Sequence, residues 1–451
     1  MRDLVFVAFL LALIGAGFRR PFIFVLTYIY IDIVAPQRLT YFLLNSVPIS
    51  LIVVGLAVLG WIYGDDKRGL RLSVRQGLML VFLIYCGITT TVADFPINAA
   101  EKWDWVWKSL AFGIFLPLTL RTRLRIESLI LFLVLSCGAI IIVGGIKTLA
   151  SGGGYGVLNL MVSNNVGMYE SSSISMAAIC IIPLILFLRK HSTIFPSEWR
   201  VDLFCYALIF ACLLIPIGTN ARTGLVCIAV LGVLMLRSVK RRFLYLFLMA
   251  AMVTAAIPLL PNSFAERMGT IKGYKGDQSA STRIAVWKWT IDYVKEHPFG
   301  GGFDAYRGNR IRFETVKVDE FGGQVDVDAT VMEDKARAYH SAYFEVLGEQ
   351  GYLGLVLWLA IHTIGLFRME VLRRRFRKRT PEEGQWIGAL AEALQHGHLI
   401  FLVGALFIGI AYQPFIYLLI GLQIALDTYA IRKNAPAEGF GLAILKDKAP
   451  A

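Results

Sequence analysis

The chain has 451 residues, of which 57% are hydrophobic and only 17% charged, with a formal net charge of +13. A soluble globular domain is nearer half apolar and a quarter charged. Composition therefore excludes that class, and apolar runs of helix-spanning length along the whole sequence indicate an all-α polytopic membrane protein. The basic excess is no nucleic-acid footprint, because it falls in short clusters between apolar runs, as cytoplasmic loops do.

Two short apolar runs open the chain, at about 4–18 and 21–35. Arg19-Arg20 stands where signal cleavage would need small residues, so the first run reads as an uncleaved membrane segment. Further spans follow at about 41–62, 77–93, 105–119, 127–149, 174–188, 203–218, 221–236, 243–259 and 342–367. The last apolar stretch, about 397–430, is too long for one helix, and Gln413-Pro414 marks a turn between two. This gives about 12 or 13 transmembrane helices. The six cysteines, Cys86, Cys137, Cys180, Cys205, Cys212 and Cys227, lie in or beside these runs without disulfide or metal spacing, as small buried residues.

Basic clusters at about 67–75, 121–125, 189–200, 237–242 and 368–379 occupy alternate connections, which assigns them to the cytoplasm. The other connections, at about 94–104, 151–173 and 218–224 and in the long polar stretch, then face outward. The expected organisation is N-terminal membrane helices over 1–259, one long, partly helical outward loop over 260–341, C-terminal membrane helices over 342–433 and a tail over 434–451. Trp103, Trp105 and Trp107 suit a membrane–water interface.

Ser151-Gly152-Gly153-Gly154-Tyr155-Gly156 has the glycines of a phosphate loop but not its Gly-Lys-Ser/Thr ending, and reads as a connector. Arg222 sits in a very short outward turn, between Asn220 and Thr223-Gly224. A charge at that depth needs water, a partner or a ligand, so it is either a snorkelling anchor or part of a site. Arg283 falls at the start of a helical pattern with Ile284, Trp287, Ile291 and Val294, capped by Ser281 or Thr282. A cation in a first helical turn opposes the macrodipole unless an anion is near. His340 immediately precedes an apolar helix, where it can serve as a general base or a structural residue. His297, before Pro298 and three glycines, reads as a helix stop. Asp326-Val327-Asp328, with Glu333 and Asp334 nearby, is the one foothold for a divalent cation, and a solvated loop is the better reading of it, since any acidic loop can contain such a spacing. Asn220, Trp287, Arg337 and Tyr339 flank the main candidates as supporting residues. Two arginines that can clamp phosphate and a histidine that can deprotonate a hydroxyl suit transfer from a membrane-held diphosphate donor to an alcohol.

These stretches resemble the O-antigen ligase and O-antigen polymerase superfamily. The resemblance rests on Thr219-Asn220-Ala221-Arg222-Thr223-Gly224, Ser281-Thr282-Arg283 with Trp287, His297-Pro298-Phe299-Gly300-Gly301-Gly302, Tyr339-His340-Ser341 and Glu349-Gln350-Gly351-Tyr352-Leu353-Gly354. Met1-Arg2-Asp3-Leu4-Val5-Phe6 through Arg19-Arg20-Pro21 is similar to a subgroup of O-glycosylation ligases associated with exosortase systems. The resemblance implies an inverting, metal-independent glycosyltransferase of the bacterial inner membrane, without a cofactor, using an undecaprenyl-diphosphate-linked glycan. Arg222 and Arg283 would hold the diphosphate and His340 would activate the acceptor hydroxyl. Lipid A–core is the favoured acceptor, with a protein serine or threonine or another lipid-linked glycan as alternatives. A transporter of lipid-linked sugars is the rival from a different class, but it would place charges near the bilayer midplane rather than at one face.

Overall fold

With no water in the bilayer core to satisfy N–H and C=O groups, apolar runs must close their hydrogen bonds internally, and helices result. The computed structural model describes residues 1–68, 70, 72–162, 167–237, 278–321, 324–376 and 382–434, with a few single positions between 241 and 247. The helices are α1 (Arg2–Arg19), α2 (Phe22–Val34), the single turn α3 (Pro36–Leu39), α4 (Ile49–Gly64), α5 (Val74–Thr91), α6 (Pro96–Thr119), α7 (Arg123–Ser151), α8 (Ser171–His191), α9 (Trp199–Gly218) and α10 (Arg222–Leu236). The long polar stretch contributes α11 (Gln278–Glu296) and the strands β1 (Arg310–Phe321) and β2 (Gln324–Lys335). After it come α12 (Ala342–Phe376), α13 (Glu382–Gly404) and α14 (Pro414–Asn434).

Among the described residues, α5, α7, α8, α9, α12, α13 and α14 are long and apolar enough to cross a membrane, while α2, α4 and α10 are apolar but shorter. The expected count of spans also includes α1 and α6, which carry more charge, and the run at 243–259. Most of that run, Asn164-Asn165, the start of the long loop and the tail after Asn434 lie outside the described residues. Helix α8 is the most buried span, packed against α13, α9, α7 and α10, so the N-terminal and C-terminal halves share one core.

Several boundaries differ from the expectation for identifiable reasons. The span at 105–119 is the second half of α6, which starts at Pro96, a residue whose fixed φ suits a first helical turn. Trp103 therefore lies within this helix, not in a connection, together with Trp105 and Trp107. Helix α13 begins at Glu382, fifteen residues before the apolar stretch that marked it, and the Gln413-Pro414 turn falls where expected. The loop is only partly helical, as expected, but its remainder contains an unforeseen β-hairpin. Strands β1 and β2 pair antiparallel from Arg310↔Lys335 to Phe321↔Gln324.

The basic connections meet at one end of the bundle. Arg125 pairs with Asp65 (2.6 Å), Arg123 donates to the carbonyl of His191 (3.0 Å) and Arg432 to that of Arg121 (3.2 Å). Arg237 pairs with Glu370 and Arg368 with Asp427. The glycine-rich and loop connections meet at the opposite end, where Asp94 N–H donates to Gly301 O and Asn220 Nδ2 to Gly154 O.

At that end the loop docks on a broken helix. Gly351 interrupts α12 with φ 63°, and the freed backbone pairs with the segment after α11. Gly301 N–H donates to Gly348 O (3.1 Å), Gly302 N–H to Glu349 O (2.9 Å) and Tyr352 N–H to Pro298 O (3.0 Å). Tyr85 Oη closes the contact on Gln350 O and Phe299 O. A Cβ at Gly351 would meet Phe299 C at 2.5 Å and Gly300 N at 2.6 Å, besides requiring an unfavourable φ. Gly351→Ala is therefore expected to destabilise the protein by roughly 2–4 kcal/mol, read as a lower temperature of aggregation in detergent.

Candidate active site

The site is built where α11, the strap from 336 to 341 and the start of α12 converge. One face of α11 is fully buried through Val286, Thr290 and Val294. Trp287 leaves the same helix to stack on Phe344, with centroids 4.9 Å apart and planes 3° apart, and its Nε1–H donates to Tyr339 O (2.9 Å). Asn309, at 1% exposure, holds the strap from the other side: Arg337 N–H donates to Asn309 Oδ1 (2.9 Å) and Asn309 Nδ2 to Arg337 O (2.7 Å). Ala342 N–H donates to Ala405 O (2.8 Å), fixing the start of α12 against the end of α13. Between these anchors His340 adopts φ 49°, left-handed backbone that a non-glycine residue holds only when its surroundings impose it.

A cavity of about 140 Å³ opens here, lined by Thr282, Arg283, Val286, Arg337, Ala338 and His340. That is room for a small anionic group. Arg283 and His340, far apart in sequence, are thus brought together, and Arg337 joins them. Tyr339 is buried, its ring edge-on to Tyr306, so it supports the strap and does not line the cavity. Helix α11 is present from Gln278, so Arg283 stands in its second turn. The expectation of an N-terminus at Ser281 or Thr282, with a cation in the first turn against the macrodipole, is corrected accordingly.

His340 keeps part of its surface in water, and the partial burial of its ring, followed by the charges of Arg283 and Arg337, pushes its pKa below the ordinary value, while Glu170 acts the other way. The imidazole is therefore neutral at pH 7 and able to accept a proton. Activity that depends on neutral His340 should fall as pH drops through a value below 6.5. Removing a positive neighbour with Arg337→Gln should move that acid limb to higher pH, and Glu170→Gln should move it lower. A pH–rate profile of the three proteins checks both signs.

Arg222 does not line this cavity. It begins α10 directly after a tight turn in which Asn220 has φ 52° and Gly224 packs so closely that a Cβ would meet Pro216 at 2.7 Å and Ser175 at 2.9 Å. Ser175 Oγ and Thr219 Oγ1 are hydrogen-bonded (2.8 Å), and Ser171 Oγ donates to Gly156 O (2.6 Å). The turn is thereby fastened to the N-terminal end of α8, the end capped by Glu170. Thr219, three residues before Arg222, and Glu170, whose charge acts on His340, both belong to this end of α8. His297 stacks on Tyr293 at the C-terminal end of α11, as a helix stop would.

Reading the sequence missed a charged cluster beneath the site. Lys102 Nζ lies 2.8 Å from Glu345 and from Glu349 and 3.7 Å from Asp304, with side-chain exposures of 12, 10, 0 and 17%. Glu349 Oε1 also accepts from Asp304 N–H (3.0 Å), and Glu345 Oε2 from Ala411 N–H (3.0 Å). Glu345 and Glu349, one turn apart, fix the half-helix that starts just after His340. The signal was there: two carboxylates at i, i+4 in an apolar helix demand a buried cation.

Asp326 and Asp328 fall within β2, where their backbone partners are Asp319 and Lys317; their side chains lie outside the described ones. Among the described residues no group of three His, Cys, Asp or Glu is arranged to hold a metal.

Residues 207–359 match the O-antigen ligase family, a stretch that contains Arg222, Arg283, Arg337 and His340. The chain carries an O-antigen ligase domain. Residues 1–193 match a family of unknown function (DUF5935). No curated protein matches the chain. The two matches meet at the site, since Lys102 and Glu170 come from the first region and His340, Glu345 and Glu349 from the ligase domain. The chain is a multi-pass membrane protein of the ligase and polymerase type.

Proposed function

We propose that this ligase-domain protein is an inverting glycosyltransferase that moves a glycan from undecaprenyl diphosphate to a hydroxyl of lipid A–core, at the periplasmic face of the bacterial inner membrane. The observation that carries the reading is the cavity shared by Arg283, Arg337 and His340, a neutral base beside fixed positive charge. The orientation follows from the basic end of the bundle facing the cytoplasm.

In the reaction His340 takes the proton of the acceptor hydroxyl. The hydroxyl oxygen bonds to the anomeric carbon from the face opposite the diphosphate. The bond from that carbon to the diphosphate oxygen breaks, and its electron pair leaves with undecaprenyl diphosphate. Arg283 compensates the departing charge from within the cavity, with Arg222 acting from the adjacent turn on the same group. Fixed guanidinium donors of this kind stabilise charge as it develops and do not reorganise during the step. They supply the compensation that a divalent cation would otherwise give, so the reaction is expected to proceed without added metal.

The test uses the purified protein in detergent with undecaprenyl-diphosphate glycan and EDTA, offering lipid A–core, a serine- and threonine-rich peptide, or a second lipid-linked glycan. Product with lipid A–core is the expected result. Product with only the peptide or only the glycan would reassign the acceptor. Turnover that appears only when a divalent cation is restored would overturn the metal-independent mechanism.

A further inference from the structure

The basic end of the bundle holds a second, larger cavity of about 530 Å³, between the ends of α4, α6, α7 and α14. Four cations line it, Arg121, Arg125, Arg432 and Lys433, against two carboxylates, Asp65 and Asp66. Arg125 is satisfied within the protein, because its guanidinium grips both oxygens of Asp65 at 2.6 and 2.7 Å. The other two arginines differ. Arg121 donates to the backbone carbonyls of Asp66 and Arg68, and Arg432 to the carbonyl of Arg121. Among the described residues neither guanidinium forms an ion pair with a carboxylate. Two guanidinium groups so placed repel each other unless an anion lies between them.

Helix polarity distinguishes the two. Arg432 and Lys433 end α14, where cations complement the helix dipole. Arg121 lies between the C-terminal end of α6, whose dipole favours a cation, and the N-terminus of α7, whose Thr122 side chain caps Arg125 N–H and whose dipole opposes one. The two dipoles offset each other at Arg121, so what marks the cavity is the pair of arginines bonded to carbonyls and not to carboxylates. Large apolar side chains next to the cavity residues face outward: Tyr63 before Gly64, Leu124 beside Arg125 and Ile431 beside Arg432 are 86, 56 and 43% exposed. A phosphate in the cavity would therefore have an apolar rim beside it for acyl chains.

We propose that this cavity binds a phosphate anion presented by the headgroup of an anionic phospholipid, held by Arg121 and Arg432. Basic pockets between helices at a membrane surface recognise headgroups in this way. The site is at the opposite end of the bundle from His340, and its occupancy anchors the ends of four helices.

The test is native mass spectrometry of the full chain released from detergent, with phosphatidylglycerol or phosphatidylethanolamine added and with inorganic phosphate as competitor. Wild-type protein is expected to retain one phosphatidylglycerol at least tenfold better than phosphatidylethanolamine, without displacement by millimolar phosphate. Arg121→Gln with Arg432→Gln is expected to abolish that preference, while Arg200→Gln, an exposed cation outside the cavity, leaves it intact. Equal retention of the two lipids by wild type, or an unchanged preference in the double variant, would overturn the proposal. Displacement by inorganic phosphate would overturn the lipid as source. An equal loss in Arg200→Gln would show only general surface charge and also overturn the site.

Discussion

His340→Ala is expected to lower the rate of glycan transfer by about 10²–10⁴-fold, the range for loss of a positioned general base. The structure gives the substitution a well-defined meaning. The His340 side chain is exposed and lines the cavity, and the strap around it is held by Asn309, Trp287 and Ala405 through contacts that alanine leaves in place. Folding should therefore be nearly unaffected, and the loss should appear in kcat with little change in donor binding. The left-handed φ at His340 makes alanine somewhat unfavourable there, so His340→Asn, a residue that tolerates this conformation, is the cleaner companion. Single-turnover kinetics with both variants check the expectation. A rate within threefold of wild type in a folded variant would remove His340 from the chemistry.

Lys102→Met is expected to destabilise the protein by about 3–5 kcal/mol, the typical cost of removing one partner from a buried ion pair. Lys102 contacts Glu345, Glu349 and Asp304 together, Asp304 being shared with Arg307 (3.5 Å), and its ammonium also lies 5.2 Å from the centre of the Tyr412 ring. Without it, carboxylates with little access to water face one another. The damage should spread to the site, because Glu345 and Glu349 sit on the half-helix that follows His340. Lys102→Met combined with Glu349→Gln should recover part of the stability by removing one of the stranded charges. Lys102→Arg should keep the charge but disturb the geometry, since a planar fork replaces a point donor. Thermal aggregation in detergent, read alongside transfer rate, separates the three variants. Wild-type stability in Lys102→Met would show that the cluster is not what holds this half-helix.

Much of the fold was legible because hydropathy and charge alternate on the length scale of a span. The basic connections at Arg121–Arg125, Arg189 and Arg237 do share one end of the bundle. The β-hairpin is legible in the sequence too. From Arg310 to Lys335 apolar and polar residues alternate around Gly-Gly, the period and turn of a two-residue hairpin. Within it, the spacing of Asp326 and Asp328 is the period of a strand, which accounts for the pattern that suggested a cation site.

Arg283 and His340 were found as single residues, each odd for its surroundings, but their meeting depends on how α11 docks on α12. No local pattern encodes that contact. Arg337 becomes a principal lining residue only once Asn309 folds the strap. Lys102 is hidden among tryptophans in a stretch of interfacial character, because its carboxylate partners Glu345 and Glu349 come 243 and 247 residues later in the chain. Glycine motifs were the reverse case. Gly300-Gly301-Gly302 and Gly351 stood out in sequence, and their reason is a backbone-to-backbone approach that leaves no room for side chains.

The central claim is that Arg283 belongs to the site that receives the donor diphosphate. The most direct measurement is equilibrium binding of undecaprenyl diphosphate to wild-type protein, Arg283→Ala and His340→Ala in detergent. A charge-assisted hydrogen bond contributes about 1.5–3 kcal/mol, so Arg283→Ala is expected to weaken binding roughly 10- to 100-fold. His340→Ala should bind within about threefold of wild type. Wild-type affinity in a folded Arg283→Ala protein would contradict the account and leave the cavity beside His340 without a donor.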